Sequence, residues 1–458
     1  NPFRFPEGVH VLEHIDRLIE IFNVCWPMYA AMPAVLKEAI LNAYEDCGWN
    51  LYKSTNRYSK ELFPTFADLL NELVLVINNS AYSEEVKSNY QGSLVTRVKS
   101  LDNGMCKQIF SCNELGDKAL FDENVIIDLS RIGSQETKSL IMGILIMRLS
   151  EYRSNSGIQH NSPLRHVTIL EEAHNILKRC SQEQSTEGSN VAGKSVEMIS
   201  NAIAEMRTYG EGFIIVDQSP GAVDVSAIRN TNTKIVMRLP EDSDRKVAGK
   251  ASGMKDEQID EIAKLLTGVA VVYQNDWEEP VLCKIGKFDK EEIPFVWNKQ
   301  NMDEQEDSSV TTVEILKLLL NGRVASPIDI KIDVIEDGLV NSGLSTFNKT
   351  SVYEAIDEYK KTGELKLWKD NRFETLSRLV TQIVSLKSEV TRLANTAVSF
   401  DELTQKLSEL VEDKIPYIPE ELSLVTSQCL MRDYSLDGEV QKKIYGAWYQ
   451  SLTINKAL

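Results

Sequence analysis

Glu171 and Glu172 close an apolar run, HVTILEE (166–172), while Asp217 and Gln218 close another, GFIIVDQ (212–218). Two adjacent carboxylates at the end of a buried strand suit phosphoryl transfer, in which one acid serves magnesium and another group orients the attacking water. Such chemistry needs little covalent help, so positioned charge does most of the work. Neighbouring side chains on a regular strand face opposite ways. The pair can therefore share one site only where the strand stops, at the edge where ligands of α/β sheets bind. The same pair would also serve as a solvated opening to a helix, whose positive end favours carboxylates; spacing alone leaves both readings open. Gln218 can sense a phosphate or orient water, or simply cap its strand ahead of Pro220. Arg207, in EMRTYGEG (205–212), offers a planar, permanently charged fork suited to phosphate. It would equally satisfy the C-terminus of the helix before it.

A second stretch, GSNVAGKS (Gly188 to Ser195), spells G-x-x-x-x-G-K-S, the pattern of a phosphate-cradling loop. A working cradle needs a buried strand feeding a tight glycine turn, then a helix whose free N–H groups meet the phosphates. The helix is expected, because VEMISNAIAEMRTY (196–209) comes directly after it. The strand is not: SQEQSTEGSN (181–190) carries no apolar side chain and reads as a flexible loop rising from a helix at HNILKRC (174–180). Ordering such a loop costs roughly 1–2 kcal/mol per residue in backbone entropy. Gly188, Lys194 and Ser195 are accordingly read as a decoy, with Gly193, Lys194 and Ser195 opening the helix.

These residues must be held by the surrounding elements. Residues 1–120 read as helical, with apolar residues at three- and four-residue spacing. Over 121–298 the pattern changes to short apolar runs separated by helices: NVIIDLS (124–130), HVTILEE, GFIIVDQ, TKIVMRL (233–239), GVAVVYQ (268–274) and PVLCKI (280–285). SLIMGILIMRLSEY and VEMISNAIAEMRTY fill the gaps between the first three. Apolar runs alternating with helices predict an α/β core with a buried, mostly parallel sheet. An acidic linker comes next at 299–310. Residues 311–372 contain a helix, a Gly turn and a strand (350–370) that would suit a winged-helix-like module, and 373–458 read as helical. Leu376, Leu379, Ile383, Leu386, Val390, Leu393, Ala397 and Phe400 are spaced 3-4-3-4-3-4-3, as in a heptad seam. An ordinary helix packed within its own chain gives the same spacing.

The whole chain has 458 residues, 42% hydrophobic and 26% charged, which is ordinary for a soluble globular protein. No run of about 18 apolar residues suggests a membrane span. Seven scattered cysteines without a CxxC suggest neither a disulfide framework nor a zinc knuckle, so a cytoplasmic setting is expected. The net charge of −18 argues against a surface that coats DNA broadly, while leaving room for a basic pore or groove.

Taken together, LEEAHN (170–175), AEMRTYGEGFIIVDQSP (204–220) and IRNTNTKIVMRLP (228–240) resemble the core of HerA-type ATPases, the hexameric DNA-pumping motors related to FtsK. NPFRFPEG (1–8) and NVIIDLSRIGSQETKSL (124–140) resemble that family too, so the similarity covers roughly residues 1–288. The resemblance implies a RecA-like P-loop ATPase core with a helical insertion at its N-terminal end and a mainly helical C-terminal extension. It implies ATP and Mg2+ as cofactors, Glu171 as the Walker B acid serving magnesium through water, and Glu172 as the catalytic glutamate. Many relatives carry Asp at the first of these positions. Gln218 matches the sensor of a T-Q-x-P motif, written here DQSP. Arg207 matches an arginine that reaches a neighbouring subunit's nucleotide, and Arg229 and Arg238 are candidates for interface or phosphate contacts. Glu171, Glu172, Gln218 and Arg207 are expected along a single rim of the sheet.

In such motors the phosphate loop precedes the acid pair in the chain, so the chain reads as the C-terminal part of a larger ATPase whose Walker A loop lies upstream. That protein would form a homo-hexamer around DNA, working with a nuclease or an antiphage defence effector. Two other classes stay open. One is a non-catalytic scaffold that keeps the ATPase fold; the other is a self-contained P-loop enzyme using Lys194.

Overall fold

Helix Gln135–Asn155 is buried on nearly every side, from Leu140 through Met147 to Arg153, which is why its sequence lacks a clean polar face. It forms the centre of the N-terminal core. In this computed structural model the chain is described except at residues 27, 113, 156, 158–160, 180–187, 289–303, 326–327, 366–371 and 455–458. Helix α1 (Val11–Cys25) packs on the central helix, α2 (Met32–Asp46) packs on α1, and α3 (Phe66–Asn79) packs on α2. The Thr65 hydroxyl and the Asp68 carboxylate cap α3 reciprocally. A small hairpin, β1 (Trp49–Asn50) and β2 (Thr55–Asn56), closes the aromatic end of this core. The central helix comes so close to α1 that a Cβ on Gly143 would lie 2.7 Å from Ile21 Cγ2.

The runs 166–172 and 212–218 form the parallel pair β3 (His166–Glu171) and β4 (Glu211–Val216), in register from His166 opposite Glu211 to Glu171 opposite Val216. The crossover between them is helix Gly188–Met206, packed on α1 and the central helix. Gly210, at φ 83, turns the chain from that helix into β4, and a Cβ there would sit 2.5 Å from the Pro163 carbonyl. One face of the pair, with Leu170, Phe213 and Ile215, packs on the helices. The other exposes Val167, Ile169, Ile214 and Val216.

Several expectations need correction. β5 (Thr233–Val236), β6 (Val269–Gln274) and β7 (Val281–Lys284) occupy the expected runs, but they form a separate antiparallel sheet in the order β5-β6-β7. Among the described residues the mostly parallel sheet is therefore confined to β3 and β4. The run 124–130 forms no strand; Val125, Ile126 and Ile127 are exposed, with Ile126 at 94%. Apolar β-formers make a strand only where a partner edge and a packing face receive them. In place of a helix at HNILKRC, the 3-10 turn Ala173–Asn175 runs on into non-helical chain through 179, where residues 177–179 bond to the segment after β4, and residue 180 lies outside the described residues.

Among the described residues the C-terminal region is a second, helical core. The heptad-spaced residues are split among Arg372–Val384, Lys387–Thr396 and Phe400–Lys414, with Ser385 in the left-handed region at φ 58. Leu376, Leu379, Ile383, Leu386 and Val390 are all buried within the chain's own core, so the seam is intramolecular. The strand expected near the end of 350–370 falls largely on 366–371, outside the described residues, while Gly363 ends helix Thr346–Thr362 at φ 71 as expected. The two cores meet where Tyr58 stacks on Tyr353, with ring centroids 5.6 Å apart.

The central helix is tied to the start of the parallel pair by a buried charge. Glu211 is fully buried, accepting from Arg153 Nε (2.9 Å), Thr168 Oγ1 (2.6 Å) and His166 Nδ1 (2.8 Å). Removing one partner of a buried ion pair typically costs about 3–5 kcal/mol, whereas replacing both by apolar groups costs far less. Arg153→Met should therefore lower the urea midpoint markedly, and Arg153→Met with Glu211→Met should lower it less than Arg153→Met alone.

Candidate functional site at the ends of the parallel strands

Where β3 stops, the chain changes hand. Glu171 is the last strand residue, and Glu172 adopts the left-handed conformation, φ 50 and ψ 50. That conformation costs on the order of 1–2 kcal/mol for a residue with a Cβ. It is held by bonds on its C-terminal side, where Asn175 N–H donates to the Glu172 carbonyl (2.9 Å) and Leu177 N–H to the Ala173 carbonyl (2.8 Å). The turn is anchored from behind by the central helix, whose Ser139 hydroxyl donates to the Asn175 carbonyl (2.5 Å) and whose Gln135 amide meets the Asn175 side chain. It is anchored from the side by the segment after β4: Arg179 N–H donates to the Ala222 carbonyl and Asp224 N–H to the Leu177 carbonyl, both at 2.8 Å.

β4 ends level with β3, and its next two residues face this turn. Gln218 Nε2 donates to Glu172 Oε1 at 2.8 Å. Asp217 accepts at Oδ2 from the backbone N–H of His174 (2.8 Å) and from His174 Nδ1 (2.9 Å), and at Oδ1 from Ser219 N–H (2.8 Å). His174 Nδ1 lies 3.5 Å from Glu172 Oε2. Glu171 stands exposed on the same sheet face as Val167 and Ile169, and its carboxylate takes no hydrogen bond among the described residues. Donor atoms of Glu172, His174 and Asp217 all lie within 4.8 Å of one another, close enough to hold a cation. Of the three, His174 and Asp217 are joined by hydrogen bonds.

The structure thus brings together Glu171, Glu172 and Gln218 at the C-terminal ends of adjacent parallel strands. Arg207 is not with them. It lies in the 3-10 turn Arg207–Tyr209 that precedes β4, at the opposite end of the sheet. A six-residue strand rising about 3.3 Å per residue separates it from the acids by roughly 20 Å, so the single rim expected for all four residues is corrected to three. Arg229 ends the short helix Val225–Asn230, and Arg238 lies just beyond β5. All three arginines are exposed and form no ion pair among the described residues.

Gly188 to Ser195 is helical, and the helix Gly188–Met206 begins at Gly188 rather than at Gly193. Beyond the first turn of a helix the backbone N–H groups are consumed by intrahelical bonds, so Gly193 to Ser195 have none free to cradle a phosphate. Ser195 is buried, and its hydroxyl bonds the Glu20 carboxylate on α1. The strand that a phosphate loop would need falls on 180–187, outside the described residues.

His174 and Asp217 carry more of the site's geometry than the sequence reading gave them. The available signal was LEEAH beside VDQ: polar side chains leaving two adjacent strands at one level must meet.

Comparison with known proteins agrees with the motifs. The chain is 28% identical over 167 residues to the DNA double-strand break repair helicase HerA of Sulfolobus acidocaldarius, covering 36% of this chain and 32% of that protein. It is 23% identical over 260 residues to HerA of Sulfurisphaera tokodaii, covering 56% of this chain and 49% of that protein. A probable DNA double-strand break repair helicase HerA of Methanocaldococcus jannaschii is 33% identical over 86 residues, 19% of this chain and 17% of that protein. A solved structure of VirB4 of Thermoanaerobacter pseudethanolicus aligns with a TM-score of 0.46 at 15% identity, over 63% of this chain and 74% of that one. No protein-family profile matches. The chain is related to the HerA-type ATPases, and it spans between about a third and a half of the first two HerA proteins' length. No helix among the described residues is long and apolar enough to cross a membrane.

If residues 188–195 serve only as helix, Lys194→Ala in the complete protein should leave the affinity for an ATP analogue within about twofold, since substitutions away from a binding site usually have small effects. Equilibrium binding of a fluorescent analogue measures this, and loss of binding would restore the phosphate-loop reading.

Proposed function

We propose that this chain supplies the acid and sensor half of a HerA-type ATPase that moves DNA, within a RecA-like P-loop core. The observation that carries the reading is the meeting of Glu172 and Gln218, 2.8 Å apart, beside Glu171 at the ends of two parallel neighbouring strands. Ligands of open α/β sheets bind at that edge.

The residues present fit ATP with magnesium. Bound there, Mg2+ would neutralise charge building on the outer phosphates. Glu171, exposed and unbonded, would accept hydrogen bonds from the metal's water ligands. Glu172, held off the strand by its left-handed backbone, would accept a proton from water and aim that water's lone pair at the terminal phosphorus. Gln218 now donates to Glu172; its amide can instead donate to a terminal phosphate, which would release the Glu172 carboxylate when substrate is present. Arg207, some strand length away, can serve only a neighbouring protomer's nucleotide, consistent with a homo-hexamer. An arginine supplied in that way can be worth ~10³–10⁵ in rate.

The exposed face of Val167, Ile169, Ile214 and Val216 supports a core completed by further chain, including the Walker A loop that binds the phosphates. A soluble protein seldom leaves such contiguous apolar surface open. A central pore that holds DNA and a nuclease or defence effector on the C-terminal helices extend the same reading.

In the complete protein, Glu172→Gln should abolish turnover while leaving ATP binding intact; hydrolysis near the wild-type rate would remove Glu172 from its role. Arg207→Ala should act in trans. Mixed assemblies of wild-type and Arg207→Ala protomers would then lose more activity than dilution of active subunits predicts, whereas strict proportionality would place Arg207 outside the site.

A further inference from the structure

We propose that Asp217, acting through His174, is the positioning residue that holds Glu172 in its working orientation, an inference that rests on Glu172 being the water-orienting carboxylate. The Asp217 side chain is only 5% exposed, yet it is bound by three N–H donors from two different segments. Its Oδ2 takes both the backbone and the ring N–H of His174, and its Oδ1 takes Ser219 N–H. One carboxylate therefore clamps the turn after β3 to the turn after β4. Charge-assisted bonds of this kind are about twice as strong as neutral ones.

The clamp has two consequences for Glu172. His174 lies two residues beyond it, so fixing the His174 amide fixes the left-handed backbone from which the Glu172 side chain departs. Further, Nδ1 carries one proton. Spent on Asp217 at 2.9 Å, it is not available to Glu172 Oε2 at 3.5 Å. Glu172 then has Oε1 held by Gln218 and Oε2 left to accept from water. Without Asp217, the ring would turn its proton to Glu172 and occupy that oxygen.

The test uses the complete protein, with steady-state ATP hydrolysis, equilibrium binding of a non-hydrolysable ATP analogue and thermal melting measured on each variant. Asp217→Ala and His174→Leu should each lower kcat by about 100-fold while KM and analogue affinity stay within about threefold, the split expected when orientation alone is lost. His174→Asn places an amide N–H near the position of Nδ1 and should recover kcat to within about fivefold of wild type, because the bond to Asp217 returns. A clamp that is only structural would move melting and leave kcat of the folded protein unchanged. That result, or His174→Asn being no better than His174→Leu, overturns the inference while Glu172→Gln remains inactive. An active Glu172→Gln protein overturns the reading of Glu172 itself, and the inference with it.

Discussion

Side chains alternate across a strand, so two successive carboxylates can face one ligand only if the strand ends between them. The whole site depends on how that ending is made. Glu171 keeps the strand geometry and points from the open sheet face, whereas Glu172 takes left-handed backbone angles that no strand or right-handed helix would give it. The unfavourable angles persist because the flanking turn is over-determined by neighbours on both sides. Strain held in this way is common where a side chain must be aimed.

The neighbours that hold the turn are themselves held by burial. The central helix contributes Gln135 from its exposed first turn and Ser139 from where its packed stretch begins, and the close contact at Gly143 leaves it little freedom to shift against α1. At the far end of the parallel pair, Arg153 and Glu211 fix the same helix to the strand starts. The strands are thus pinned at one end by a buried ion pair and at the other by hydrogen bonds around Asp217. A displacement at the β4 end would reach Glu172 through Gln218 and His174, which lie within one small network.

Much of this is legible in the residues. The runs 166–172 and 212–218 become adjacent parallel strands because each is apolar, short and trailed by polar groups, and a crossover helix of suitable length lies between them. The failures share one cause. A strand needs a partner, and single-run patterns do not say which partner is present. That is why 124–130 is no strand and why β5, β6 and β7 pair antiparallel in a sheet of their own. Arg207 sits at the end of its helix, as its spacing suggests, but at the other end of the sheet from the acids. A parallel crossover returns the chain to the strand starts, so residues entering β4 cannot lie beside residues leaving β3. That LEEAH and VDQ would meet is legible in the sequence, but which of their side chains pair depends on register, which only the paired strands define.

The position of nucleotide relative to β3 and β4 decides whether this site does the chemistry. A structure of the complete protein with Mg2+ and a non-hydrolysable ATP analogue measures it directly. The terminal phosphate and the metal should lie at the C-terminal ends of the two strands, with Glu171 toward the metal and Gln218 turned from Glu172 to the phosphate. Nucleotide bound at Gly188 to Ser195, or at the Arg207 end of the sheet within the same protomer, would contradict that placement.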